Sequence, residues 1–485
     1  MPRRHIRVTG APEAPLRAAL VALRAELGVP GGFPAEVLAE AERAARDPAL
    51  PVHDATDVPF FTIDPPTSTD LDQALHISGR PGGGYRVRYA IADAAAFVTP
   101  GSALDAEAHR RVTTLYFPDG RIPLHPPLLG EGAASLLPGQ TRPAALWTID
   151  LDADGRTVAV DVRRALVRSR AKLAYAGVQK EIETGIAEEP LALLRTVGLL
   201  REALESERGG ISLHVPEQEI VQRGRSYALT YRAPLPAEAW NAQISLLTGI
   251  AAAELMLAYG TGVLRTLPAA PDGAVGRLRR TAHALRIDWP HHVSYAALVR
   301  SLDPRESRNA AFLLECTTLL RGAGYTVFRD GDRPALTSHA AVAAPYTHCT
   351  APLRRLVDRY TTELCLAASA DTPPPAWVLP ALDALPAEMA DGSRRAGQVE
   401  RACVEVVEAA VLADRVGEVF DGWVVDVEDR RPTAGTVQLE SPAVIGRIEQ
   451  DPGGPDGGGL PLGERLRVRL TQADPAPARI RFAPA

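Results

Sequence analysis

The sequence reads as a multidomain α+β protein with a small helical N-terminal stretch, a large mixed central domain and a C-terminal β-barrel. Three observations lead to this reading. A length of 485 residues exceeds one small core, so two to four domains are expected. Helix-period and strand-period segments occupy separate stretches of chain instead of alternating in regular units. Five short strand-like runs crowd into the last seventy or so residues, the density of an OB-type barrel.

Taken in order, residues 13–48 carry two amphipathic helices, APLRAALVALRAELG and PAEVLAEAERAARD, separated by a PGG break. Residues 1–56 thus form a helical module, suited either to a helix-turn-helix or to simple packing against the main domain. From Val58 the pattern becomes β-rich: FFTID, YRVRYAIAD, ALWTIDLD and VAVDVRRALV alternate, with turns at PGGG and DADG. After residue 190 the chain is expected to be mostly helical, through 240–325, with a last helix from Ser393 to Val416. The central domain is therefore set at 57–415. In 416–485 the strands are VFDGWVVDVED, GTVQLES, AVIGRIEQ, RLRVRLTQAD and ARIRFAP, with a DPGGPDGGG loop before the fourth. A barrel of this kind commonly binds single-stranded RNA.

Composition narrows the function classes. The 46% hydrophobic and 23% charged content is that of an ordinary globular chain. A formal net charge of −6 excludes a broad basic coat, so a polyanion partner would need a local arginine-lined channel. Lys172 and Lys180 are the only lysines among 53 basic residues, a compositional bias rather than a functional sign. Cys316, Cys349, Cys365 and Cys403 form no C-x-x-C pair, which fits a reduced, cytoplasmic compartment and no zinc site. The opening MPRRHIRVTG lacks an apolar core, so secretion is not expected. One apolar run, Ile244 to Val263, carries Glu254 in its middle and reads as a buried helix rather than a membrane span. A monomer is expected.

The first chemical signal is the run Asp64-Pro-Pro-Thr-Ser-Thr-Asp70-Leu-Asp72-Gln73. Asp64 ends a strand, a Pro-Pro turn follows, and Asp70 and Asp72 share a face by the period of two. Converging carboxylates repel unless a cation neutralises them, and oxygen-only ligands select hard divalent ions, Mg²⁺ first and Mn²⁺ second. By spacing alone, a solvated acidic turn explains the run as well.

The flanking residues carry more information. FFTIDPPTSTDLDQAL resembles the signature of the RNase II (RNB) family, in which Ile-Asp is followed five residues later by Asp-x-Asp-Asp-Ala-Leu. YAIADAAAFVTPGSALDAEAHRR, TTLYFPDGRIPLHPPLLGEGAASLLPG, SRAKLAYAGVQ, YTHCTAPLRRLVDRY and the Glu400-Arg401 pair resemble later family blocks, in the same order across about residues 57–410. The resemblance implies a processive 3′-to-5′ exoribonuclease that hydrolyses single-stranded RNA to nucleoside 5′-monophosphates. It implies metal binding by Asp64, Asp70, Asp72 and, in the fourth-aspartate position, Gln73. It implies catalytic roles for Asp70, Asp72, Arg354 and Glu400, and RNA contacts through Tyr116, Arg355 and Arg401. Asp93, in Ile-Ala-Asp, reads as a structural hydrogen-bond acceptor.

The sequence also departs from the family. Gln73 keeps an oxygen but loses a charge, and Ala351 and Leu356 lose two hydroxyls from the Thr-Ser-Pro-Ile-Arg-Arg-Tyr block. The apolar run at 244–253 lacks the family's acidic and Asn positions, and its two N-terminal cold-shock barrels have no counterpart. The alternative from another class is an RNB-fold RNA-binding protein with impaired catalysis.

Overall fold

The structure is a computed structural model that describes residues 6–9, 14–213, 217–223, 226–320, 322–428, 430–439, 441–442, 444–450, 459–476 and 478–485. Most of the glycine-rich loop expected at 451–459 lies outside these residues.

Five strands close a barrel: β1 (Phe60–Ile63), β2 (Gln73–Gly79), β3 (Tyr85–Ala92), β4 (Thr141–Leu151) and β5 (Thr157–Leu173). Neighbours are antiparallel except β1 and β5, whose parallel pairing closes the ring. Alternate residues enter two different cores. Tyr89, Ile91, Trp147 and Ile149 face one, while Ala90, Ala92, Ala144 and Leu146 face the other. Where both faces are covered, as at Tyr89–Ala92, a difference in side-chain size replaces the hydrophobic/polar alternation seen in Tyr85–Tyr89 of the same strand. The β2–β3 turn needs Gly84 at φ +82°, where an added Cβ would lie 2.2 Å from the Leu151 carbonyl oxygen.

Between β3 and β4 the chain makes a long excursion. It runs through helix α1 (Ala103–Arg111), a two-stranded ribbon (Leu115–Phe117 with Gly120–Ile122) and a tight turn at Leu129–Ala133. Ser102 caps α1 by accepting from the Asp105 amide. Asp93 is likewise structural, accepting from the Ala95 amide at 3.2 Å and from Arg164 Nε at 2.7 Å.

The apolar run forms α2 (Pro236–Tyr259), which is buried at Trp240, Ile244, Leu247, Ala252 and Met256. It is the one helix among the described residues long and apolar enough to cross a membrane, and its central residues pack into the main core. The reading of Ile244–Val263 as one helix needs correction. Gly260, at φ +88°, ends α2, and Gly262–Thr266 is a strand paired with Gly324–Phe328. The expected helical stretch after 190 also contains a hairpin, Glu217–Arg223 with Ser226–Arg232.

The N-terminal region is not purely helical: Ile6–Thr9 is a strand parallel to Glu217–Arg223. Its two helices, Ala14–Glu26 and Ala35–Arg46, serve separate cores. Leu16, Leu20 and Leu23 pack with the C-terminal barrel, whereas Val37 and Ala41 pack with Phe60 and Leu71.

Helix α3 (Leu356–Ala370) and the long helix α4 (Leu385–Leu412) complete the central region. The second closed barrel comprises Val419–Glu428, Arg431–Leu439, Ile445–Glu449, Arg465–Pro475 and Ala478–Pro484, the OB-type end that the sequence predicts.

Candidate active site

The acidic run is the loop joining β1 to β2, and three side chains absent from the sequence-based site reading shape it. Lys172, near the end of β5, donates from Nζ to the carbonyl oxygens of Pro66 at 2.7 Å and Ser68 at 2.5 Å. Ser135 Oγ donates to the Thr69 carbonyl at 2.7 Å and accepts from the Leu71 amide at 2.9 Å. Arg121, on the ribbon, reaches Asp70 Oδ1 through Nη1, Thr69 Oγ1 at 2.5 Å and Glu131 Oε1 at 3.1 Å. Each lies far from the loop in sequence and in no periodic relation to it. The only available cue was Lys172 itself, a lysine in a chain that otherwise uses arginine.

Asp72 is buried, 2% exposed, and accepts from the Leu353 amide at 2.8 Å and Arg354 Nε at 2.6 Å. The 353–354 segment precedes α3 and is strapped to the start of the ribbon. The Thr114 amide and Thr113 Oγ1 both donate to the Arg354 carbonyl at 3.0 Å, and the Leu356 amide donates to Val112 at 2.9 Å. Tyr116, two residues further along that strand, is held in the same frame, and its phenol hydrogen-bonds the Arg354 guanidinium. Asp64, Asp70, Asp72, Tyr116 and Arg354 therefore form one electrostatically coupled group.

Burial pushes the Asp64 carboxyl up to about 6, with Arg354 opposing and the Asp70 charge adding. Burial also pushes Asp72 up, against the pull of Arg354 and the Leu353 amide. Desolvation works against the Arg354 cation, yet Asp72, Tyr116 and Asp70 hold its pKa well above the usual range. Burial raises the Tyr175 phenol too, with the Asp64 charge adding, and Asn241 Nδ2 donates to its oxygen at 3.1 Å.

Other expected site residues are committed elsewhere. Gln73 donates from Nε2 to the Thr350 carbonyl at 2.6 Å and accepts from Tyr89 Oη at 2.5 Å, so both ends of its amide are engaged. Arg355 forms a two-pronged pair with buried Asp358, at 2.8 and 2.7 Å. Asp358 also accepts from the Ala351 amide at 2.7 Å, tying down the turn before α3. Glu400, half-buried on α4, acts on Cys403 together with Arg24 and Asp119, near the ribbon's turn. Arg401 is exposed, and its charge acts on Glu405 one turn along the same helix.

The donor chemistry suits a hard divalent ion: three carboxylates, two of them with pKa values raised by burial. Among the described residues, however, no three His, Cys, Asp or Glu side chains stand close enough to hold an ion as they are placed. Arg121 occupies Asp70 and Arg354 occupies Asp72.

A barrel built around such a loop, followed by a second closed barrel, matches known families. The RNB domain model matches residues 52–369, and the RNase II-type exonuclease C-terminal S1 domain matches residues 418–485. The chain belongs to the RNB family. It is 30% identical over 321 residues to the exosome complex exonuclease dis3 of Schizosaccharomyces pombe, covering 63% of this chain and 33% of that protein. Ribonuclease R of Thermotoga maritima is 27% identical over 357 residues, covering 70% of this chain and 49% of that protein. The chain thus spans half or less of the length of these two relatives. Among solved structures, Mycoplasma genitalium RNase R in complex with ribose-methylated single-stranded RNA superposes with a TM-score of 0.83 at 19% identity, covering 97% of this chain and 78% of that one. That likeness establishes the shared fold.

Proposed function

We propose that this protein is a metal-dependent, processive exoribonuclease that hydrolyses single-stranded RNA from its 3′ end and releases nucleoside 5′-monophosphates. The observation that carries the reading is Arg354 paired with Asp72 beside Tyr116, over an acidic loop, in an RNB-family chain. Family kinship and the C-terminal S1 domain support RNA as substrate, and contacts to the 2′-hydroxyl would select it over DNA.

Asp64, Asp70 and Asp72 would hold Mg²⁺, with Mn²⁺ as a substitute. A divalent ion there supplies positive charge against the attacking and leaving oxygens of the phosphodiester. Water adds to the terminal phosphorus, the bond to the 3′ oxygen breaks, and the water's proton ends on that 3′ oxygen. Arg354, 39% exposed at its side chain and held by Asp72 and Tyr116, would donate to the non-bridging oxygens of the scissile phosphate. Tyr116 would seat the RNA end by stacking and fix the shortest product. Glu400 would act from α4 on the same strand. We place the enzyme in the cytoplasm as a monomer.

The test is to incubate 5′-labelled linear RNA with protein and Mg²⁺, with and without EDTA, beside a blunt hairpin of equal length. Stepwise shortening of the linear strand, release of 5′-monophosphates, slow decay of the hairpin and arrest by EDTA are expected. Internal cuts, or equal decay of both RNAs, would refute it. A second reading, an RNA-binding protein with impaired catalysis, draws on Gln73 and on the Arg121 clasp at Asp70. It predicts RNA retained uncut at every metal concentration.

A further inference from the structure

The ribbon that carries Tyr116 has two unlike faces. Leu115 and Phe117 alternate with Tyr116 along the strand, and Ile122 is the cross-strand partner of Leu115. Leu115 and Phe117 are buried in one core with Leu16, Leu20 and Leu23 of the helix Ala14–Glu26, and Ile122 packs against that core. Tyr116 faces the other way and meets the Arg354 guanidinium. The first N-terminal helix therefore backs the strand that presents Tyr116 to the site.

Polar contacts hold the ribbon to the same region. At its turn, Arg24 donates from Nη2 to Asp119 Oδ1 at 2.5 Å and from Nη1 to Asp119 Oδ2 at 3.1 Å, a two-pronged pair. The Arg24 guanidinium also lies over the Phe117 ring, 4.2 Å from its centroid. At the ribbon's base, buried Arg111 donates from Nη1 to the Pro123 carbonyl at 3.2 Å. Its Nη2 donates to the carbonyls of Gly31 and Gly32, at 3.2 and 3.0 Å. Both ends of the ribbon are thus tied to the N-terminal region. A fully exposed ion pair would contribute little, but the Arg24 and Asp119 side chains are only 25% and 16% exposed.

We propose that the helix Ala14–Glu26 backs the substrate end of the site, with Arg24 a positioning residue that acts through Asp119 on Tyr116. The inference rests on the exoribonuclease reading above, in which Tyr116 seats the RNA end. Loss of the pair frees the ribbon's turn while Leu115 and Phe117 keep the strand docked. The Tyr116 ring then loses its fixed position without leaving the site. A long strand is held by further contacts along its length, whereas a short oligonucleotide depends on the seat of its end.

Steady-state cleavage of a 5′-labelled octanucleotide and of a long unstructured RNA by the full chain tests this. Arg24→Gln should raise KM for the octanucleotide about threefold and shift the limit product by at least one nucleotide. The kcat on the long strand should stay within about twofold of wild type. Asp119→Asn should do the same, and the double variant should match either single one, because the two residues act as one pair. Effects that multiply in the double variant would overturn the proposal. A merely structural pair would lower the melting temperature and leave the limit product and the short-to-long KM ratio as in wild type. Equal loss of kcat on both RNAs would also overturn it, since the pair would then act on the chemistry and not on the seat. If wild type shortens neither RNA, the exoribonuclease reading falls and this inference with it. If wild type digests both and Arg24→Gln matches it, only this inference falls. Should Arg24→Gln fail to fold, Asp119→Asn decides alone by the same measurements.

Discussion

Asp72 and Arg354 lie 282 positions apart and meet at 2.6 Å, with the backbone amide next to the arginine donating to the same carboxylate. The Asp72 side chain is 1% exposed and the Arg354 side chain as a whole 39%, so the pair is anchored in the core at the carboxylate. A buried carboxylate held this way keeps its position and fixes the guanidinium between Asp72 and Tyr116.

Asp72→Asn should therefore lower turnover by at least about 10²-fold while RNA affinity stays near wild type, the scale of one well-placed electrostatic group. The isosteric amide can still accept from the Leu353 amide, so the fold should survive. Single-turnover decay of labelled RNA, with filter binding alongside, gives both numbers. Near-normal turnover would remove Asp72 from the catalytic group.

Tyr116→Ala should change the length of the limit product and leave cleavage of long RNA within a few fold of wild type. Its phenol is coupled to Arg354, and a stacked base contributes about 1–3 kcal/mol without bearing charge. Sequencing gels of the limit digest provide the readout. An unchanged ladder would return Tyr116 to a packing role.

The acidic loop was legible in the sequence because its carboxylates lie within nine residues and a strand period places two on one face. The partnership of Arg354 with Asp72 was not legible from spacing, because it spans the chain and is made by the strap between 112–114 and 354–356. Only the family resemblance singled out Arg354. The first barrel was visible as strands but not as a closed ring, since closure comes from the parallel pairing of Phe60–Ile63 with Ser169–Leu173, two segments far apart in sequence. Arg355 was offered as an RNA contact by the resemblance alone, and its pairing with Asp358 follows from the turn before α3. Arg121 carried no sequence cue, and only the ribbon's register places it over Asp70.

Acid should remove the stability that the buried histidines contribute. Burial, with the Arg359 charge adding, pulls His125 down to about 4; burial and Arg265 do the same to His339, and burial leads the still larger depression of His348. Unfolded imidazoles protonate near 6.5, so between about 6.5 and 4 the unfolded chain binds more protons and stability falls with pH. The histidine contribution is complete above about 6.5 and lost as pH drops toward 4. Asp64 and Asp72 oppose this, because their raised pKa values favour folding at low pH and that contribution is lost as pH rises through about 6 for Asp64. Burial raises Glu202, Glu254, Glu363 and Glu405 as well, so the fall due to the histidines is isolated by substitution and not by the net slope. His125→Gln should flatten that fall, and a slope equal to wild type would mean that His125 titrates normally in the fold.

Gln73→Asp should leave metal binding unchanged and lower stability. Position 73 is where the family places a fourth aspartate, and charge alone would argue that restoring it tightens the site. The side chain, however, is turned into the protein. Its Nε2 donates to the Thr350 carbonyl at 2.6 Å, and its oxygen accepts from Tyr89, whose hydroxyl also lies 2.9 Å from Ser245 Oγ. Aspartate is one methylene shorter and carries no donor. The Thr350 carbonyl would lose its partner and face a negative charge, and an unsatisfied buried polar group costs about 1–3 kcal/mol. Gln73 opens β2, just past the loop, and its side chain is fixed at Thr350 and Tyr89, so the new charge would lie in that network rather than within the loop. Two measurements decide the matter: unfolding free energies from denaturant melts, expected to fall by that amount, and Mn²⁺ titrations, expected to coincide with wild type. A titration shifted to lower metal concentration would show that residue 73 can turn toward the loop and that its amide network yields to a cation.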